Sequence, residues 1–250
     1  MHNAGPHISI KPEILAHIAG FPITNSYFAA LIVIAAFIGI AMHYNSEIHK
    51  KKKSGLFYIV QFMIRSLYDF FSSILGSKID VFFPILSGLF VYILILNWFG
   101  LLPGVGSVLV RVPEGAESVM APLLRGNTAD LNTTFALALI GFALPQYYGV
   151  KYLGLKEYLG KFFNFSNPLM FAVGLLELVS EFSRIISYSF RLFGNIFAGE
   201  VILSIMSFLL PVFLPFPFLL MEFFVGFVQA LVFPMLMGIF LSMATEKAHH

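Results

Sequence analysis

Cysteine is absent from the 250-residue sequence, which excludes disulfide frameworks, thiolate metal sites and iron–sulfur clusters at the outset. Charge is scarce as well: Asp, Glu, Lys and Arg make up 11% of the chain, against roughly a quarter in an ordinary soluble domain. Apart from the run Lys50 to Lys53 the basic residues are scattered, so no nucleic-acid partner is expected. A Gly-rich phosphate loop, a nucleophile elbow and histidines at helical metal-ligand spacing are all missing. Nucleotide hydrolysis and zinc chemistry therefore have no residues to run on, and neither a metal nor a cofactor is expected. No internal repeat is visible, which leaves the inverted-repeat layout of many secondary transporters without support.

What is present is apolar. Hydrophobic residues make up 58% of the chain and the mean hydropathy is +0.87, placing it in lipid. Stretches of about twenty apolar residues mark spans at 25–44, 81–102 and 131–150, the first preceded by a polar leader unlike a cleaved signal peptide. Between the first two, Gln61, Arg65, Asp69 and Ser72 recur at helical spacing over 56–76, the pattern of a helix lying in the interface or packed on a partner. Asn167 and Pro168 read as the start of a helix that meets no further proline until Pro211. At about 1.5 Å per residue such a helix is roughly twice as long as the hydrocarbon core is thick, so it must tilt, bend or break. A second segment over 218–245, with Pro234 inside, folds back against it. The expected fold is thus an all-α integral membrane protein, one membrane domain over 1–250. It has about five membrane-inserted helices plus the interfacial helix, and it ends in a long, steeply tilted helical hairpin at 168–210 and 218–245.

Lysines after the first and third spans (Lys50 to Lys53; Lys151, Lys156 and Lys161) put those loops in the cytoplasm. The amino terminus then lies outside and the carboxyl terminus, with Lys247, inside.

The first three spans carry no ionisable side chain of the Asp, Glu, Lys or Arg type, whereas the hairpin contains Glu177, Glu181, Arg184, Arg191, Glu200 and Glu222. A charge at the bilayer centre costs at least about 2.5–3.5 kcal/mol to insert, so such residues pair, face water or protein, and mark ion paths. At 100° per residue Glu177, Ser180, Arg184, Ser187, Arg191 and Asn195 share one stripe, while Glu200 lies about 180° from Arg191. Glu222 and Gln229 share a face of the second segment. Carboxylates can relay protons; a guanidinium stays protonated, so Arg191 would block a proton wire while attracting a passing carboxylate. Three plainer readings remain open: Glu177, Glu181 and Arg184 as a solvated patch near the cytoplasmic end, Arg191 in a structural ion pair with a nearby acid, and Glu200 hydrogen-bonded to Glu222. Gly194 and Gly199 are expected to allow close helix approach.

The stretch from Ser189 to Glu200, Ser-Phe-Arg-Leu-Phe-Gly-Asn-Ile-Phe-Ala-Gly-Glu, resembles the most distinctive segment of subunit a of F-type ATP synthases, centred on that family's essential arginine. Ala129-Asp-Leu-Asn132, Glu177, Gln229-Ala and the closing Leu241-Ser-Met-Ala244 agree in order. The resemblance implies a non-catalytic stator subunit of the membrane sector, located in the inner (cell) membrane of a bacterium. Its partners would be a ring of small hairpin c subunits, peripheral-stalk b subunits, the rest of the complex and the lipid bilayer, and its cargo would be H+. Arg191 would face the ring carboxylate and separate two offset half-channels, with Asn195 and Gln229 lining the site. Glu200 and Glu222 would serve the outer half-channel, Glu177 the cytoplasmic route and Asp130 the outer vestibule. One departure stands out: many members carry a histidine at one of the positions matching Glu200 and Glu222, and this chain has glutamate at both. The alternative reading is a secondary ion-coupled transporter, which would also use intramembrane acids.

Overall fold

The computed structural model describes residues 12–18, 21–105, 107–114, 117–162, 167–210 and 213–246. Pro211 and Lys247 fall outside them. Among the described residues seven α-helices carry the architecture: α1 (Asn25–Glu47), α2 (Gly55–Leu75), α3 (Ile79–Phe99), α4 (Leu131–Leu153), α5 (Leu155–Phe162), α6 (Pro168–Leu209) and α7 (Pro215–Thr245). Helices long and apolar enough to cross a membrane are α1, the 45-residue run through α2 and α3, α6 and α7. The chain is an all-α integral membrane protein.

Helix starts follow local chemistry. Thr24, Ser54, Asp130 and Asn167 each accept a hydrogen bond from a backbone N–H of the first turn of α1, α2, α4 and α6. Pro168 at the first position of α6 lacks an N–H that would have no intrahelical partner there. With no proline or terminating glycine inside, α6 then runs unbroken for 42 residues. By contrast α7 continues through Pro234, whose ring removes one ladder hydrogen bond. The end of α7 is held by Lys78, whose Nζ donates to Thr245 O at 3.0 Å and to Thr245 Oγ1 at 2.8 Å, a cation at the negative pole of the helix.

Helix α7 packs most extensively on α3 and also against α4 and α6, and α4 packs along α6. Phe71, Phe82, Leu86, Phe90 and Ile93 of α2 and α3 meet Leu192 of α6 and Met237 and Leu241 of α7 in a buried core. Two polar ties run from α3 to backbone carbonyls of α7: Asn97 Nδ2 to Gly226 O at 2.8 Å and Trp98 Nε1 to Phe223 O at 3.0 Å. The opposite face of α2 is apolar and exposed, with Ile59 70% and Phe62 75% accessible. That surface suits lipid or a partner helix better than water.

Two antiparallel β-hairpins stand beside this bundle and were not foreseen from periodicity: β1 (Ile14–Ile18) with β2 (Phe21–Thr24), and β3 (Leu109–Glu114) with β4 (Glu117–Pro122). They are joined to the start of α1 by Asn25, which is fully buried. Its Nδ2 donates to Glu13 Oε2 at 2.6 Å and to Pro122 O at 3.1 Å. Asn127, in a 3-10 turn before α4, is also fully buried. With its amide oriented to suit its neighbours, it donates to Ser26 O and Arg125 O and accepts from Ala30 N.

Candidate functional site: two polar cavities along one long helix

Arg191 lies near the middle of α6 with an exposed side chain, and its Nη2 donates to Ser187 Oγ at 3.3 Å, one turn earlier. None of the ion pairs among the described residues involves it. Glu177, Ser180, Ser187 and Asn195 are exposed on the same stripe. Large apolar residues surround it, among them Leu176 70%, Ile186 59% and Phe190 57% accessible. A Cβ built on Gly194, one turn beyond Arg191, meets nothing within 4 Å. Among the described residues no helix approaches that glycine, which leaves the surface beside Arg191 low.

The opposite side of α6 is concave. A cavity of about 510 Å³ is lined there by Ile196, Phe197, Glu200, Leu203 and Ser204, positions that cluster about 180° around the helix from Arg191. From α7 it receives Glu222, which is 3% exposed with an Oε1 that has no hydrogen-bond partner. Glu200 does not bond Glu222. Its Oε1 lies 3.8 Å from Nε of Arg125, a residue 6% exposed that lines the same cavity. The hairpin register is fixed by Gly199, because a Cβ there would overlap the Glu222 carboxyl group. Only a glycine lets that carboxylate rest on the α6 backbone.

Toward the other end of α6 a small cavity of about 60 Å³ is lined by Glu177, Glu181, Arg184, Gln146, Tyr158 and Lys161, among others. Glu181 is buried and fully engaged: Gln146 Nε2 donates to its Oε2 at 2.7 Å and Arg184 Nη1 lies 2.7 Å from its Oε1. The Tyr158 hydroxyl donates to Gln146 Oε1. Burial first, then the charges of Glu181 and Glu177, push that hydroxyl up to about 12, so it stays a donor. The Arg184 guanidinium stacks 3.7 Å above the Phe240 ring. The solvated-patch reading of Glu181 and Arg184 is therefore corrected: they tie α4, α5, α6 and α7 together. Replacing Glu181 with Ala should leave Gln146 and Arg184 without their acceptor. The expected cost is about 1–3 kcal/mol, read as earlier thermal release of the subunit from its complex, with Glu181→Gln milder.

A family model described as ATP synthase A chain matches residues 25–242. The chain belongs to that family. The chain is also 36% identical over 194 residues to ATP synthase subunit a of Desulfotalea psychrophila, covering 76% of this chain and 71% of that protein. Membership makes it a multi-pass, ion-translocating stator subunit of the ATP synthase membrane sector rather than a catalytic one.

Of the remaining residues singled out from the sequence, Gln229 is half-buried on α7, and Asp130 is 5% exposed. Asp130 does not line the larger cavity: its Oδ1 accepts from Asn132 N at 3.0 Å and Asn132 Nδ2 at 3.2 Å, capping α4 beside the turn that carries Asn127. Among the cavity residues that periodicity left unmarked are Glu13, Asn97 and Arg125. Each reaches the cavity through a long-range contact that spacing along one helix cannot report. The nearest sequence signal was the isolated Arg125 within the apolar run before Asp130.

Proposed function

We propose that the chain conducts protons between two offset aqueous half-channels and the carboxylates of a rotating c ring, with Arg191 preventing direct passage between them. The observation that carries this is Arg191 itself: a guanidinium in the middle of a long apolar helix, exposed and without an acidic partner among the described residues. Inserting such a charge costs at least about 2.5–3.5 kcal/mol, and an inert structural arginine would have its counter-ion within the chain. Here the counter-ion arrives on a partner. The large cavity with Glu200 and Glu222 is the outer half-channel, and the small one with Glu177 is the beginning of the cytoplasmic route. Asn195 and Gln229 line the passage around Arg191, and Asp130 holds the outer vestibule by capping α4. Opposite placement on α6 keeps the two water paths from meeting except through the ring.

In this reading the amino terminus and the two β-hairpins lie outside and the carboxyl terminus lies in the cytoplasm of a bacterial inner membrane. Peripheral-stalk b subunits hold the chain against the ring, so that several charges per turn, each carrying about 2.3 kcal/mol per 100 mV, drive the soluble motor.

Ring contact can be tested by disulfide trapping, since the chain has no cysteine of its own. Single cysteines at positions 187 and 195 should cross-link to a cysteine placed beside the ring carboxylate, whereas one at position 203, on the cavity side, should not. Absence of product at both stripe positions, in complexes that still synthesise ATP, would exclude this face as the ring contact.

A further inference from the structure

The larger cavity holds more acid than the long hairpin supplies. Besides Glu200 and Glu222, its wall includes Glu13, contributed by the segment just before β1. That carboxylate is placed rather than loose. Fully buried Asn25 donates to its Oε2 at 2.6 Å, and Asn25 N bonds Glu13 O at 3.1 Å, so side chain and backbone are both tied to the start of α1. Asn25 is neutral, and no ion pair among the described residues involves Glu13. Its charge is thus left uncancelled.

The other charges facing this space make that uncancelled carboxylate matter. Arg125, from the loop before α4, sits 3.8 Å from Glu200 of α6, and the two offset each other. Glu222 of α7 lies deeper, 3% exposed, with Oε1 unpartnered, and Asn97 Oδ1 of α3 is likewise buried and unpartnered. Two buried acceptors without donors, aimed into one cavity, call for water or a proton-bearing species there. A pair that is neutral in sum gives such a species no reason to enter. A cleft whose acids outnumber its cations, as Glu13, Glu200 and Glu222 outnumber Arg125 here, does, raising local counter-ion concentration and on-rates by about 10–10³.

On the half-channel reading above, we infer that Glu13 is the outermost proton-collecting carboxylate of this chain, positioned by Asn25 at the mouth of the outer half-channel. Protons pass from it toward Glu200 and then Glu222, while Arg125 holds Glu200 in place and keeps the middle of the cavity from retaining other cations. The segment leading into the amino-terminal β-hairpin is therefore part of the ion path.

The test uses the assembled complex with reactive thiols of other subunits removed and Glu13→Cys as the only cysteine in this chain. Intact cells are treated with a membrane-impermeant thiosulfonate carrying either a sulfonate or a quaternary ammonium. Inverted vesicles prepared from them are then assayed for ATP synthesis at limiting lumenal proton concentration. The two adducts are of similar size, so a packing role predicts equal rates. The proposal predicts modification from outside, with the cationic adduct about tenfold slower than the anionic one and the gap closing as lumenal protons become saturating. Equal rates, or a cysteine at position 13 that the reagents cannot reach, would overturn it. Glu13→Gln, needing no reagent, should reproduce the slow rate, and Glu13→Asp should restore it. Arg191→Ala in the same vesicles separates the two levels. Lost synthesis there with equal adduct rates removes Glu13 alone, whereas normal synthesis there removes the half-channel reading beneath it.

Discussion

Replacing Arg191 with Ala should abolish proton-driven ATP synthesis while the complex still assembles, and should raise the passive proton leak through the membrane sector. The argument rests on what the side chain touches. Among the described residues its polar contact is Ser187 Oγ at 3.3 Å, on its own helix, so truncation strands no described buried acid and opens no core cavity. Removing a charge from an apolar span also lowers the cost of insertion by about 2.5–3.5 kcal/mol. A folding defect is therefore the wrong explanation for lost activity. What disappears is a fixed cation that cannot give up its proton, the property that makes it a barrier to a proton wire and a counter-charge for a passing carboxylate. Arg191→Lys keeps a charge but offers a point ammonium that burial can deprotonate, so it should recover synthesis only in part. Measured in vesicles, near-normal synthesis by Arg191→Ala would remove the gate from the mechanism.

The location of this residue was legible in the sequence because two signals coincide. Among the long apolar stretches, ionisable side chains are confined to the final hairpin, and the 3.6-residue period separates Arg191 from Glu200 without any tertiary information. The 42-residue length of α6 was legible for an equally local reason, Asn167 and Pro168 at the start and no breaker after them. Other features depend on pairings between distant segments. Arg125 carries no periodic signal of its own; it is placed against Glu200 by a turn in which Asn127 bonds the start of α1. Glu181 looked like a helix-end charge until Gln146 of α4 closed on it. The two β-hairpins escaped because short strands of four to six residues, flanked by apolar helices, leave little periodicity to read. Gly194 and Gly199 show the same limit from the other side: they are alike in sequence, yet one faces open space and the other a buried carboxylate.

That carboxylate gives the second large effect, expected from the smallest change. Gly199→Ala adds one methyl group where the Glu222 carboxyl now lies. Two energetic terms oppose each other. Overpacking a filled site costs about 1–3 kcal/mol, while exchanging Gly for Ala inside a helix returns roughly 1 kcal/mol. The obstacle is also the far end of a flexible side chain, which can swing aside. Net destabilisation should therefore be small, and the assembled complex should persist. Function has no such compensation. Glu222 would leave its seat beside Glu200, and a displacement of about 1 Å in a proton-transfer geometry can cost about 10²-fold in rate. Proton-driven synthesis should fall by that order, while Gly39→Ala, where a Cβ meets nothing within 4 Å, should change neither synthesis nor assembly. The decisive variant is the double one. Shortening the acid by one methylene in Gly199→Ala, Glu222→Asp should vacate the contested space and recover part of the rate, although Glu222→Asp alone should be slower than the unmodified protein. Such a coupling is what a direct steric contact predicts. Additive losses in the two single variants would mean that Gly199 acts through something other than the seat of Glu222.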